Sequence, residues 1–242
     1  MSYSLDVKSE ICGNFESRDC CRKALLNAAF CFFNTVNSNK MQFKTSSSQA
    51  ALYLLGLTNQ TFGIHPELSR KKDSCILLLE DKNEINKLAE KAGLINPKTN
   101  MLQSALNGSL SVDECCRKAA IRGAFLAAGY ISDPKKSYHF EIASHRLRLL
   151  NQLSDLFASF EIPVKIIKRS TKYVLYLKEK ELILDVLNLL NATKMYFNFQ
   201  EVTVENAIIN QLNRKQNIET QNLNQTLNVA LAELIALKKL IN

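Results

Sequence analysis

The chain has 242 residues, 46% hydrophobic and 22% charged, which suits one large folded domain or two ordinary ones and excludes a disordered acidic tail. No run approaches the ~18 uninterrupted apolar residues of a membrane span, and the polar start MSYSLDVKSE lacks a secretory leader's apolar core. A cytoplasmic protein with no membrane partner is therefore expected, its seven cysteines thiols rather than a disulfide scaffold. Lysine and arginine number 31 against 23 acidic residues, and the net charge of +8 favours a polyanionic partner, most often nucleic acid.

In chain order, Asp19-Cys20-Cys21-Arg22-Lys23-Ala24 opens an Ala-rich helix expected over 19–34, with its carboxylate where unpaired N–H groups and the helix dipole favour one. Met41, Phe43 and Thr45 alternate as in a half-buried strand. A helix over Gln49 to Leu57, strands at Phe62–Leu68 and Ser74–Leu79, and a helix over Glu84–Ala92 follow. The segment near 93–111, with Gly93, Pro97 and Gly108, reads as a linker.

The pattern then starts again. Glu114-Cys115-Cys116-Arg117-Lys118-Ala119 repeats the first motif at an offset of 95 residues, and Ala29-Phe30 recurs at the same offset as Ala124-Phe125. A vicinal Cys-Cys-Arg-Lys with an aligned Ala-Phe marks an internal duplication. The second copy continues with a helix over 114–129 and an alternating strand through Tyr138, Phe140 and Ile142. A helix over Arg146 to Phe160, strands at Ile162–Arg169 and Tyr173–Lys178 around a Ser170-Thr171-Lys172 loop, and a helix over Glu181–Leu190 complete it. Each unit reads as α-β-(β)-α-β-β-α, the bracketed strand being weak in both. The expected organisation is a first repeat at 1–95, a linker at 96–111, a second repeat at 112–195 and a C-terminal helical arm at 196–242.

Ala120, Gly123, Ala124 and Ala127 recur at helical spacing, as do Ala24 and Ala28 in the first copy. A face of small residues lets two backbones approach, and Gly123 inside a helix costs roughly 1 kcal/mol against Ala unless such contact compensates. The two repeat helices are therefore expected to pack on each other across a pseudo-two-fold axis.

Ile121-Arg122-Gly123-Ala124-Phe125-Leu126-Ala127-Ala128-Gly129 resembles a degenerate LAGLIDADG motif, the signature helix of homing endonucleases. The chain as a whole more closely resembles the WhiA family of bacterial proteins. The carrying residues are Ser17-Arg18-Asp19-Cys20-Cys21-Arg22, Glu114 to Lys118, Arg122 to Ala127 with Gly129, Ser132-Asp133-Pro134-Lys135-Lys136-Ser137-Tyr138-His139, and Glu219-Thr220, Asn222-Leu223-Asn224, Thr226, Asn228 and Ala230. The resemblance implies an α+β fold: a duplicated LAGLIDADG-like saddle of two αββαββα-type halves, followed by C-terminal helices. It also implies roles in cell division, chromosome segregation and transcriptional control, with nucleoid association. In the family a helix-turn-helix follows; the sequence here runs from Leu231 to Asn242 without one, so weaker DNA binding is expected.

A LAGLIDADG nuclease needs an acidic residue at the eighth motif position to hold divalent metal ions. Those positions are Phe33 and Ala128, so no nuclease activity is expected; Asp133 reads as a turn carboxylate before Pro134. No phosphate loop or His-Glu-x-x-His motif is present, and His65, His139 and His145 are scattered, so no cofactor or small-molecule substrate is expected. Cys20, Cys21, Cys115 and Cys116 read as small hydrophobes near helix starts, because neighbours on a helix point about 100° apart. A four-thiolate metal site is the alternative.

Lys165, Lys168, Arg169, Lys172 and Lys178 form a basic hairpin suited to phosphate contact, extended by Lys44 and His139 and interrupted by Glu141. A solvated edge protected by lysine is the other reading. Leu223, Leu227, Ala230, Leu234, Leu237 and Ile241 make a narrow apolar stripe, with Asn222, Asn224 and Asn228 on the polar side. The expected function is a non-catalytic DNA-associated regulator, the alternative a protein-interaction scaffold in transcription or cell division without DNA binding of its own.

Overall fold

The computed structural model describes residues 2–32, 35–37, 40–71, 74–95, 105–110 and 112–241. Phe33 and most of the expected 96–111 linker lie outside the described residues. The chain divides into two compact units, Met1–Asn198 and Phe199–Asn242.

The first unit begins with α1 (Tyr3–Gly13), a helix that the sequence reading did not anticipate. It buries Val7 and Ile11 together with Ser4 and Lys8, and the Ser4 hydroxyl accepts the Ile131 N–H at 3.3 Å. Then α2 (Asp19–Phe30), β1 (Thr35–Asn37), β2 (Lys40–Thr45), α3 (Ser48–Phe62), β3 (Glu67–Lys71), β4 (Ser74–Leu79) and α4 (Lys82–Lys91) form the first repeat. The second repeats the order as α5 (Glu114–Ala128), β5 (Gly129–Ile131), β6 (Phe140–Ser144), α6 (Leu147–Ala158), β7 (Lys165–Arg169), β8 (Lys172–Leu177) and α7 (Lys180–Leu189). Both sheets are antiparallel and equivalently ordered, β1-β2-β4-β3 and β5-β6-β8-β7. The αββαββα duplication read from the sequence is therefore present.

Three boundaries differ from expectation. The weak strand of each unit precedes the alternating one, because β5 runs directly off the end of α5 and is three residues long. The strand expected at 62–68 begins at Glu67, because α3 continues to Phe62. Thr58 donates its hydroxyl to the Leu54 carbonyl at 2.6 Å, and Gly63 ends the helix in the left-handed region at φ 64°. The loop expected over 170–172 has two residues, with Arg169 paired to Lys172 and Ser170 at φ 54°.

Alternation sets the core. Met41, Phe43 and Thr45 on β2, and Phe140, Ile142 and Ser144 on β6, point to the helix-covered side and are buried. Phe125 of α5 stacks on Phe140 at 5.9 Å, and Phe157 of α6 meets Phe140 edge-on at 5.8 Å. One helix, α8 (Thr193–Ile241), extends through the second unit, where the expectation was for several. Within that unit Leu223, Leu227, Leu234 and Leu237 are each more than half exposed; the Ile241 side chain lies outside the described residues. Among the described residues, no helix is long and apolar enough to cross a membrane.

Candidate functional site

The two motif helices meet face to face. Ala24, Ala28, Ala120 and Ala124 are buried, and a Cβ on Gly123 would overlap the Leu25 carbonyl oxygen and lie 2.9 Å from its carbon. A side chain of any size at 123 would push the backbones apart. Ala127, the last of the expected interface residues, lies further along α5 and lines a groove.

The duplicated motif repeats its contacts as well as its letters. Lys23 pairs with Asp19 at 2.7 Å and Lys118 with Glu114 at 2.6 Å, each lysine holding its partner carboxyl below the ordinary range. Arg22 donates to the Ser17 carbonyl at 2.9 Å and Arg117 to the Val112 carbonyl at 2.6 Å, so each arginine ties down the chain entering its own helix. Arg122 forms a largely buried ion pair with Glu16 and donates to the Leu189 carbonyl at 3.3 Å.

At the N-terminal ends of α2 and α5 the four vicinal cysteines converge. Their sulfurs all lie within 4.8 Å of one another, with 4.0 Å between Cys20 and Cys21 and between Cys115 and Cys116. Across the helices, Cys21 faces Cys115 and Cys116 faces Cys20. Cys21 and Cys116 are buried, Cys115 is half-buried and Cys20 is exposed. Burial pushes the Cys21 thiol up and that of Cys116 up to about 12. The neighbouring Cys21 thiol and Arg18, whose Nη1 is 3.5 Å from the sulfur, hold the Cys115 thiol down. The expectation that adjacent helical cysteines point apart does not describe this arrangement: the two sulfurs of each helix are 4.0 Å apart, because each helix directs both of its cysteines toward the crossing point.

About 18 Å along α5 from this cluster, twelve residues at helical rise, lies the opposite end of the helix pair. A groove of about 700 Å³ opens there, lined by Phe32, Lys44, Ala127, Ala128, Ala143, Ser144, His145, Arg146 and Lys172. Arg146 joins the halves by donating to the Cys31 carbonyl at 3.3 Å, and His145 Nδ1 lies 3.1 Å from the Thr171 carbonyl. Ala128, which the resemblance places at the eighth motif position, offers no ligand atom, and Lys44, Arg146 and Lys172 around it repel a divalent cation. Among the described residues lining the groove there is no carboxylate to hold a magnesium ion. Asp133 is spent in its own turn, accepting the Lys135 N–H at 2.9 Å.

Strand register sorts the basic hairpin. Lys165, Arg169 and Lys172 share the face turned away from the helices with Tyr130, Glu141, Ala143 and Tyr176. Just past β8, Lys178 lies 5.9 Å over the Tyr176 ring. Lys168 does not join them: it pairs with Tyr173 on the helix-facing side, one position out of phase. Glu141 sits within the cluster, 2.9 Å from His139 and 3.7 Å from Arg169. His139 also stacks on Tyr176 at 6.3 Å. This aromatic group was not apparent in the sequence, because Tyr130, His139 and Tyr176 come together only through strand pairing. His65 lies exposed in the loop before β3 and belongs to neither the groove nor this face.

The family model described as the WhiA LAGLIDADG-like domain matches residues 23–105 and 117–208. The sequence is 34% identical over 251 residues to the probable cell division protein WhiA of Clostridium botulinum (strain Hall), covering 98% of this chain and 80% of that protein. The crystal structure of full-length DUF199/WhiA from Thermatoga maritima is similar with a TM-score of 0.68 at 22% identity, over 94% of this chain and 75% of that one. That of the N-terminal LAGLIDADG domain of DUF199/WhiA gives a TM-score of 0.59 at 23% identity, over 77% of this chain and 89% of that one. Both likenesses concern the fold.

Proposed function

From the premise that this chain belongs to the WhiA family, we propose that it is a cell-division regulator that associates with DNA and does not cut it. The carrying observation is the continuity of positive charge from the open face of the second sheet, with Lys165, Arg169, Lys172 and Lys178, into the groove containing Lys44 and Arg146. Phosphate neutralisation needs such a surface, and exposed Tyr130 gives it an aromatic platform for a base or sugar. Roles in transcription and chromosome segregation, and a nucleoid location, extend the same reading.

Binding of this kind is weak and salt-dependent, with dissociation constants on the order of 10⁻⁴ to 10⁻⁶ M at physiological salt. Fluorescence anisotropy with a labelled random duplex should show it. Changing Lys165, Arg169, Lys172 and Lys178 together to Glu should weaken binding and reduce the log–log salt slope by roughly 3 to 4, at ~0.9 for each phosphate no longer neutralised. Unchanged affinity and slope would refute the DNA reading. Incubation of supercoiled plasmid with magnesium should leave it intact, and nicking would refute the non-catalytic part.

Exposed Leu223, Leu227, Leu234 and Leu237 on α8 favour a second reading, a scaffold for a protein partner without DNA affinity of its own. Absence of any anisotropy change even at low salt would select it.

A further inference from the structure

We propose that Cys20, Cys21, Cys115 and Cys116 form a tetrahedral thiolate site for zinc, clasping the N-terminal ends of α2 and α5. Zinc–sulfur bonds of about 2.3 Å put tetrahedral sulfurs about 3.8 Å apart. The four sulfurs already lie within 4.8 Å of one another, so side-chain shifts of under about 1 Å complete the shell. Four sulfur donors without an oxygen ligand select zinc or iron(II) over magnesium or calcium.

Packing alone does not explain the arrangement. Cys21 and Cys116 are buried as small hydrophobes would be, but Cys20 is exposed and Cys115 only half-buried, so these two gain little from an apolar role. Their position instead gives an ion access from solvent. Binding replaces four S–H bonds by four Zn–S bonds and releases four protons, leaving a site of net charge −2. Compensating charge is close by: each helix starts with unpaired N–H groups, and Arg18 already donates to Cys115. Arg22 and Arg117 follow the cysteines directly, and each has a buried Nε–H with no hydrogen-bond partner among the described residues. Zinc would thus lock the two repeats together at the end of the helix pair remote from the groove.

The test is metal analysis of the purified full chain, prepared reduced and without added chelator. About one zinc per chain is expected, and stripping it should lower the melting temperature reversibly. Cobalt(II) added to stripped wild-type protein should give the visible bands and thiolate charge transfer of a tetrahedral tetrathiolate. Cys20→Ser with Cys115→Ser, at accessible positions that tolerate the change, should abolish zinc binding while preserving the circular dichroism spectrum. Cys12→Ser, on α1, should retain the metal. The proposal is overturned if reduced wild-type protein takes up neither zinc nor cobalt, if the double variant keeps its zinc, if iron is the metal recovered, or if the resting state contains disulfides between these cysteines.

Discussion

Adding one methyl group at Gly123 should destabilise the protein, and the same addition at Gly56 should stabilise it. Both glycines are inside helices, where Ala is intrinsically better by roughly 1 kcal/mol. Gly56, on α3, has nothing within 4 Å of the added Cβ, so Gly56→Ala should realise about 0.5–1 kcal/mol. At Gly123 the Cβ would overlap the Leu25 carbonyl oxygen, with the carbonyl carbon 2.9 Å away. Backbone cannot rotate aside as a flexible side chain does, so α2 and α5 must separate. A cost near the upper end of the usual 1–3 kcal/mol for overpacking, less the roughly 1 kcal/mol propensity gain, leaves a net loss of about 2 kcal/mol. For a protein of this size that is a fall in melting temperature of about 4–8 °C, against a rise of about 1–4 °C for Gly56→Ala. Thermal and urea denaturation of both variants measures the pair. If Gly123→Ala is as stabilising as Gly56→Ala, the helices do not touch at that point and the proposed saddle interior is wrong.

Lys8 offers a pH-dependent case. Burial holds its ammonium down to about 8 from an ordinary 10.5, beneath the Phe125 ring 5.6 Å away. Between those values the unfolded chain holds a proton that the folded chain has lost, so wild-type stability gains from this group as pH rises through the interval and carries the full cost below it. Lys8→Met should therefore stabilise by about 1–3 kcal/mol at pH 7, with the gain shrinking toward pH 10.5; urea titrations showing destabilisation at pH 7, or a pH-independent gain, would contradict this. Strand parity separates two adjacent charges: Lys172→Glu should weaken duplex binding several-fold and Lys168→Glu should change it less than about two-fold, and equal effects in anisotropy would mean that the register does not govern the interface. Glu16→Gln should cost about 1–3 kcal/mol in urea unfolding, because the amide keeps an acceptor oxygen for Arg122 but removes the negative charge that offsets its largely buried guanidinium; a neutral result would show that the carboxylate charge is not what balances Arg122.

The duplication was legible because both copies kept the same letters at the same offset, and the contacts explain the retention: Arg22 and Arg117 make equivalent bonds, as do Lys23 and Lys118. Helix α1 was not legible, since its buried face mixes Val7 and Ile11 with Ser4 and Lys8 and so breaks the apolar period. Strands β1 and β5 have three residues each, too few to alternate recognisably. On the hairpin, charge counting found the basic residues but not their sides; Lys168 is excluded by a one-residue phase that only pairing with Tyr173 reveals.

The cysteines carry the same point further. A single helix separates successive side chains by about 100°, which is why four adjacent-pair thiols looked unable to meet. That argument holds each helix in isolation. Two helices that touch closely enough to forbid a Cβ at Gly123 bring their first turns together as well, and the near-symmetry of the duplication then sets Cys20 against Cys116 and Cys21 against Cys115. Each thiol needs only to face the crossing point, not its neighbour in sequence. The small-residue stripe and the sulfur cluster are therefore not independent features: the close approach that requires glycine in the middle of α5 also creates the four-sulfur geometry at its start. A variant that separates the helices should loosen both, so Gly123→Leu should lower zinc affinity as well as stability, although residue 123 lies about 10 Å from the cysteines along the helix. Zinc binding at wild-type strength in that variant, with the helices destabilised, would show that the cluster forms without the helix contact.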